Sequence, residues 1–222
     1  MATIADNLQA IRKRIGAATL LAVSKGQSVE RIREAIAAGQ EAFGENYVQE
    51  ALEKMALLPS GLQWHLIGPL QSNKTRAVAE RFHWVQTVAS EKIARRLSEQ
   101  RPEGLPPLNV LVQINASGEG TKSGISSREA PSLCNEIVKL KNLRLRGLMA
   151  IPEPGAPRSR FREVRMLFDA LKPKFGFDTL SMGMSDDLER AISEGATMVR
   201  VGTAIFGPRT KKSNAGMTEL QP

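Results

Sequence analysis

The 222-residue sequence predicts an α/β protein that folds as a single (β/α)8 TIM barrel. Short apolar runs alternate with helix-like stretches about eight times, which is typical of parallel strands joined by helical crossovers. Eight such units in about 200 residues fit a minimal barrel better than an open sheet. An open doubly wound sheet would usually carry a G-x-G-x-x-G turn after its first strand, and the segment SKGQ (24–27) does not supply one.

Four strands and their helices are predicted in the first half of the chain. The strands are the apolar runs at 19–23, 41–43, 64–67 and 84–88. The apolar residues whose helical spacing predicts a helix before the first strand are Ile4, Leu8, Ile11 and Ile15. Gly39 is expected to end the next helix, and Ser90 to cap a later one. Asn46 and Gln49 have the spacing of a capping box, which predicts a helix start at this point.

The second half of the chain continues the same pattern. Its strands are predicted at 109–115, 143–151, 179–183 and 198–202. Helices are predicted near 127–140, along the stripe of Phe161, Val164, Phe168 and Leu171, and at 186–194. Because the series has no internal boundary, residues 1–207 are expected to form one domain. Residues 208–222 are polar and are expected to form a flexible tail.

The composition excludes several classes of protein. The single cysteine, Cys134, excludes a disulfide framework and a cysteine-rich zinc module, and it is expected to be a small core residue. No pair of histidine and acidic residues shows metal-ligand spacing, so no metal is expected. No apolar stretch approaches 18 residues and no secretory signal is visible, so we expect a cytoplasmic protein.

The net charge of +8 raises nucleic-acid binding as an alternative function. A basic chain can bind nucleic acid or membrane, or attract small anions to a cleft. The basic residues are scattered, however, and an aromatic content of 5% is low for a base-stacking surface. We therefore expect a solvated basic surface, with neither nucleic acid nor membrane as a partner.

Lys25 stands out among the polar residues that follow the predicted strands, at the end where barrels form their sites. A lysine rarely ends a buried apolar run, because an ammonium there loses hydration. Such a place favours the neutral amine that Schiff-base chemistry requires. A lysine that extends its ammonium from the strand end into water explains the position equally well.

Gly202 and Thr203 follow the eighth predicted strand. Backbone N–H groups in a glycine turn, with a hydroxyl beside them, make a phosphate site of the kind that barrels place near strands seven and eight. Ser181 could add another donor. The alternative is a simple turn into a last helix. Together with Lys25, a phosphate site here would suit pyridoxal 5′-phosphate (PLP).

The chain resembles the PLP-binding homeostasis protein family, a barrel related to the N-terminal domain of alanine racemase. The stretches that carry the resemblance are LLAVSK (20–25), FGENYVQE (43–50), WHLIGPLQSNK (64–74), KSGI (122–125), RGLMAIP (146–152), LSMGMSDD (180–187) and MVRVGTAIFG (198–207). They run in order along nearly the whole chain. The sequence departs at SKGQ (24–27), where the family usually continues with threonine and then lysine or proline.

The resemblance implies an alanine racemase N-terminal-domain-like barrel that holds PLP as an internal aldimine on Lys25. It also implies phosphate contacts around Ser181, Gly202 and Thr203, with Arg200 beside the pyridine ring. The family has no well-established enzymatic activity and is linked to PLP supply and amino-acid homeostasis. We therefore expect a monomer that buffers or delivers PLP, with PLP-dependent apoenzymes as recipients.

Two further residues of the matching stretches are candidate cofactor contacts. Asn46 is at least as well explained as a helix N-cap. His65 lies at a strand end, where a packed and hydrogen-bonded histidine is the alternative. Three methionines, Met149, Met182 and Met184, are expected in the pocket wall.

A PLP-dependent amino-acid racemase is the main alternative function. Racemisation needs a proton acceptor on each face of the substrate α-carbon, and alanine racemase uses its lysine and a tyrosine from a second domain. The only tyrosine of this sequence, Tyr47, lies at a predicted helix start. Arg200, if beside the ring, would also leave the pyridine nitrogen unprotonated and the cofactor a weak electron sink. We therefore expect no racemase activity.

Overall fold

The structure of the protein is a computed structural model that describes residues 2–117 and 123–208. Eight parallel strands close into a barrel in chain order, and the last strand pairs with the first. The predicted (β/α)8 barrel is confirmed. The strands are β1 (Thr19–Val23), β2 (Ala42–Glu45), β3 (Gln63–Leu66), β4 (Trp84–Val88), β5 (Leu108–Ile114), β6 (Leu143–Ala150), β7 (Thr179–Ser181) and β8 (Met198–Val201).

Helices connect consecutive strands around the outside of the barrel, and a short 3-10 turn at Ser72–Lys74 precedes the fourth of them. The helices are α1 (Ile4–Ile15), α2 (Val29–Ala37), α3 (Val48–Leu57), α4 (Thr75–Arg81), α5 (Glu91–Gln100), α6 (Ala130–Ile137), α7 (Arg158–Phe175), α8 (Leu188–Ser193) and α9 (Thr203–Phe206). The first and last of them are tied together, since Asn7 Nδ2 in α1 donates to the Ile205 carbonyl in α9 at 2.9 Å.

Of the two helix-start signals predicted at Ser90 and Asn46, the structure confirms the first and contradicts the second. Ser90 caps α5 by accepting from the Ile93 N–H, as predicted. The predicted capping box of Asn46 and Gln49 is wrong, because α3 begins at Val48 after Tyr47 and has no side-chain cap. The Ile67 N–H donates to the Glu45 carbonyl at 2.9 Å, and the Asn46 backbone packs against Gly68, so contacts with the end of β3 hold Asn46. Asn46 therefore lies in the connection above the barrel.

The core forms between the barrel and the inner faces of its helices. The predicted apolar faces of α1 and α7 are buried, and their members are Ile4, Leu8, Ile11, Ile15, Phe161, Val164, Phe168 and Leu171. Cys134 is buried in α6, which confirms its expected place in the core. Burial raises the pKa of the Cys134 thiol to about 12, so it stays protonated and unreactive.

All eight strands lie within the predicted domain of residues 1–207, and the boundary of that domain stays a prediction. The predicted flexible tail, 208–222, lies outside the described residues from 209 onward. Within the described ranges, no helix is both long and apolar enough to cross a membrane.

Candidate functional site

A cavity of about 280 Å³ opens at the carboxyl ends of the strands, the end where barrels place their sites. Five of the seven predicted site residues line it, namely Lys25, Asn46, Arg200, Gly202 and Thr203. Strand ends and the loops that follow them supply the rest of the wall, which consists of Val23, Gln27, Ile67, Ile151, Met184, Ser185, Asp186 and Gly207. The tertiary structure thus collects residues from both ends of the chain in one cavity.

Lys25 lies in the turn that follows β1. The Ser24 N–H donates to the Gly44 carbonyl of β2 at 3.0 Å, and the Gln27 N–H donates back to the Ser24 carbonyl at 3.0 Å. Gly26 completes the turn at a φ of +69°, a conformation that favours glycine. Lys25 itself is half-buried. It therefore contributes to the cavity wall from an anchored turn.

Arg200 brings a buried cation to the cavity. The residue is 4% exposed, and its Nη1 donates to Ser181 Oγ and its Nη2 to the Ala150 carbonyl, both at 2.8 Å. Burial lowers the pKa of Arg200 to about 10, against an opposing effect of Asp187. The guanidinium stays charged at neutral pH. Because both of these acceptors are neutral, they orient its charge without cancelling it.

Ser181 is fully buried and is absent from the cavity wall in the described structure. Its Oγ accepts from Arg200 and donates to Gln86 Oε1 at 2.7 Å. A serine hydroxyl has one proton, and here that proton is used on Gln86. The Ser181 hydroxyl is thus placed as a support for Arg200, and its predicted contact with a phosphate stays a prediction.

His65 also lies inside the barrel and not on the cavity wall. Its Nδ1 is 3.0 Å from Gln86 Nε2, and its ring stacks on Trp84 with centroids 5.0 Å apart. The buried Nε2 has no hydrogen-bond partner among the described residues. Burial, together with the nearby His83, lowers the pKa of His65 to about 3. The ring is therefore neutral, packed and hydrogen-bonded, which is the alternative that the sequence left open.

Sequence reasoning misses two glutamines at this site. Gln86 joins His65 and Ser181 into one buried chain that ends at Arg200. The available signal was an amide in the middle of the apolar run WVQTV (84–88), since a buried amide needs partners. Gln27 lines the cavity, and its buried Oε1 has no hydrogen-bond partner in the part of the chain that the structure describes. The only signal for Gln27 was its place two residues after the lysine.

Close backbone packing shapes two parts of the cavity wall. A Cβ at Gly202 would lie 3.2 Å from the Val23 carbonyl oxygen, tighter than nearly all real contacts. Gly202 directly precedes α9, and the exposed Thr203 is the first residue of that helix. A Cβ at Gly68 would lie 2.1 Å from the Asn46 carbonyl oxygen. Asn46 therefore holds its place through a contact that only glycine allows.

The prediction for the methionines is correct for one of the three. Met184 lines the cavity, whereas Met149 is buried against Trp84 and Leu111, and Met182 belongs to the main hydrophobic core. The prediction was wrong for Met149 and Met182 because their side chains pack into these apolar clusters.

We expect His65 to stay neutral well below pH 6.5. An unfolded histidine has a pKa of about 6.5, so below that pH the unfolded chain binds a proton that native His65 cannot bind. Stability is then lost progressively as the pH falls toward 3, by about 1.4 kcal/mol at pH 5.5. An NMR titration of the two histidine rings, assigned with His83→Gln, should show no protonation of His65 down to pH 5.

Denaturation of His65→Gln at pH 7.5 and 5.5 is the matching stability measurement. This variant should lose less stability between the two pH values than the wild type does. A His65 ring that titrates near pH 6.5 would contradict its burial as a neutral group.

The fold agrees with that of the proteins to which this chain is similar. A family model described as alanine racemase, N-terminal domain, matches residues 1–210. The pyridoxal phosphate homeostasis protein of Pseudomonas aeruginosa is 55% identical over 225 residues, which cover 94% of this chain and 97% of that protein. PipY of Synechococcus elongatus has been solved without PLP (TM-score 0.87, 38% identity) and with PLP bound (TM-score 0.81, 37% identity), and each match covers 92% of this chain and 100% of PipY. The chain belongs to the pyridoxal phosphate homeostasis protein family, whose barrel is that of the alanine racemase N-terminal domain.

Proposed function

We propose that this chain binds PLP in the cavity and holds it covalently through Lys25. The observation that carries the proposal is the meeting of the lysine turn after β1 with the glycine turn after β8 in one cavity. The Lys25 nitrogen would form a C=N bond with the aldehyde carbon of the ligand, and the aldehyde oxygen would leave as water. The relative PipY, solved with PLP bound, supports the assignment of the ligand.

The polar groups of the cavity fit such a ligand. Gly202 leads into α9, where the first N–H groups of a helix have no intrahelical partner, and Thr203 adds a hydroxyl. These groups would bind the phosphate. The amide oxygen of Gln27, which has no partner among the residues that the structure describes, could accept from a polar ligand or water. Arg200 would lie beside the pyridine ring and Asn46 at its edge.

Ser181 and His65 would support the site from inside the barrel, without lining the cavity. Through Gln86 they form the chain that orients Arg200, and we assign them to that role in place of direct contact with PLP. Arg200 is always charged and can only donate, so beside the pyridine nitrogen it would keep that nitrogen unprotonated. PLP in that state is a poor electron sink.

The chemistry of this site suits storage of PLP better than catalysis. We infer that the protein buffers or delivers PLP in the cytoplasm as a monomer, with PLP-dependent apoenzymes as recipients. Relatives 55% and 52% identical to this chain are named pyridoxal phosphate homeostasis proteins, which supports this function. The alternative of a racemase lacks a tyrosine in the place that alanine racemase uses, since Tyr47 is 65% exposed and is not among the described residues that line the cavity.

Lys25→Ala should abolish the covalent linkage to PLP and leave the fold intact, because Lys25 lies in a turn outside the core. Borohydride reduction followed by peptide mass spectrometry measures the linkage. The matched control is Lys92→Ala, which removes an exposed lysine of α5 and should keep full labelling. A reduced adduct on a lysine other than Lys25 would reject the assignment.

Thr203→Ala should weaken PLP binding by about 1.5–3 kcal/mol, the usual value of a hydrogen bond to a charged group. Thr19→Ala is the control, because Thr19 is exposed at the opposite end of β1. Equilibrium dialysis measures both variants. Pyridoxal without its phosphate should bind much more weakly than PLP, and equal affinity for the two would remove Gly202 and Thr203 from the site.

The PLP-loaded protein should not exchange the α-proton of L-alanine, L-serine or L-glutamate faster than free PLP does. The physical reason is the donor-only Arg200, together with the absence of Tyr47 from the described cavity wall. NMR in deuterated water follows this exchange. Rapid exchange with inversion that disappears in Lys25→Ala would restore the racemase.

A further inference from the structure

A partly buried charge cluster, consisting of Glu45, Glu50 and Lys54, lies behind the turn that carries the proposed cofactor lysine. Lys54 is 5% exposed, and its Nζ donates to Glu45 Oε1 and Glu50 Oε1, each at 2.7 Å. Glu45 is fully buried at the end of β2, whereas Glu50 and Lys54 lie one turn apart on α3. The cavity wall described above includes none of these three residues.

The charge cluster forms hydrogen bonds to the backbone on both sides of Lys25. Lys54 Nζ donates to the Ser24 carbonyl at 2.7 Å, and Glu50 Oε1 accepts from the Gly26 N–H at 2.6 Å. The peptide groups before and after Lys25 are therefore each held by one member of the same salt bridge. Because the peptide groups on both sides of Lys25 are held, the backbone of this residue has little freedom to rotate.

Stability alone is a weak explanation for this arrangement. A buried ion pair costs desolvation that its attraction often fails to repay, and apolar residues of similar size serve a core at least as well. Here Glu45 Oε2 is also buried without a hydrogen-bond partner among the described residues, and burial raises the pKa of Glu45 against the attraction of Lys54. The cluster does make directional contacts to the turn, which apolar side chains could not make.

We propose that Glu50 and Lys54 are positioning residues that hold the Lys25 amine in place for bond formation with an aldehyde. The inference rests on the proposed function. In the step concerned, the Lys25 nitrogen bonds to the aldehyde carbon and the aldehyde oxygen leaves as water. A nucleophile on a fixed turn reacts faster than one on a loose turn, because its orientation is settled before the reaction.

Three substitutions of Glu50 separate positioning from charge. Glu50→Ala removes the contact to Gly26, and Glu50→Asp keeps the charge on a side chain one methylene shorter. Glu50→Gln keeps an oxygen that can accept from both Gly26 and Lys54 while removing the charge. The matched control is Glu53→Ala, an exposed glutamate on the same helix.

Stopped-flow absorbance after mixing the apoprotein with PLP measures the rate constant for formation of the C=N bond. Glu50→Ala and Glu50→Asp should lower this rate constant about 10-fold to 100-fold. Glu50→Gln and Glu53→Ala should react close to the wild-type rate. Binding of pyridoxine 5′-phosphate, which has an alcohol in place of the aldehyde, should be the same in all five proteins.

The outcomes distinguish this inference from the proposed function. Wild-type rates in Glu50→Ala, or a slow Glu50→Gln, would overturn positioning by Glu50. Loss of pyridoxine 5′-phosphate binding in Glu50→Ala would overturn it too, because the cluster would then shape the whole cavity. Absence of a borohydride-stable adduct on Lys25 in the wild type would instead reject the proposed function itself.

Discussion

Hydrogen bonding between β1 and β8 closes the barrel, and the site depends on this closure. The pairing sets Ala22 opposite Val201, so the chain leaves both strands at the same edge. Lys25 follows one strand and Thr203 the other, although 177 other residues separate them in the sequence. In an open sheet the first and last strands of such a series would not be neighbours, and the cavity between them would not form.

Two buried cations of the barrel, Arg200 and Lys54, have partners of different charge. Arg200 is held by neutral acceptors, Ser181 Oγ and the Ala150 carbonyl, so its charge remains directed to its surroundings. Lys54 is paired with two carboxylates, and its charge is largely cancelled where it lies. The first arrangement suits a residue that acts on a ligand. The second suits a residue that holds part of the protein in place.

The neutral state of His65 also affects how much charge lies around Arg200. Burial has removed the water that could solvate a charged imidazole at this place, and the nearby His83 disfavours the charge further. With His65 neutral, the chain through Gln86 can orient Ser181 without adding charge beneath the cavity. These donors and the anchored turn of Lys25 are what the proposed function needs, namely the holding of an anionic aldehyde without catalysis of its further reactions.

The order of the strands, the inner faces of the helices and the lysine of the site were determined by the sequence itself, because hydrophobic periodicity and residue position are local properties of the chain. Contacts between distant segments decided the rest. The capping signal of Asn46 fails, since the backbone of this residue packs against the distant Gly68 and α3 begins only at Val48. Only the folded barrel shows that the Ser181 hydroxyl donates to Gln86. The reason is that these two residues are neighbours across the barrel but distant in the sequence.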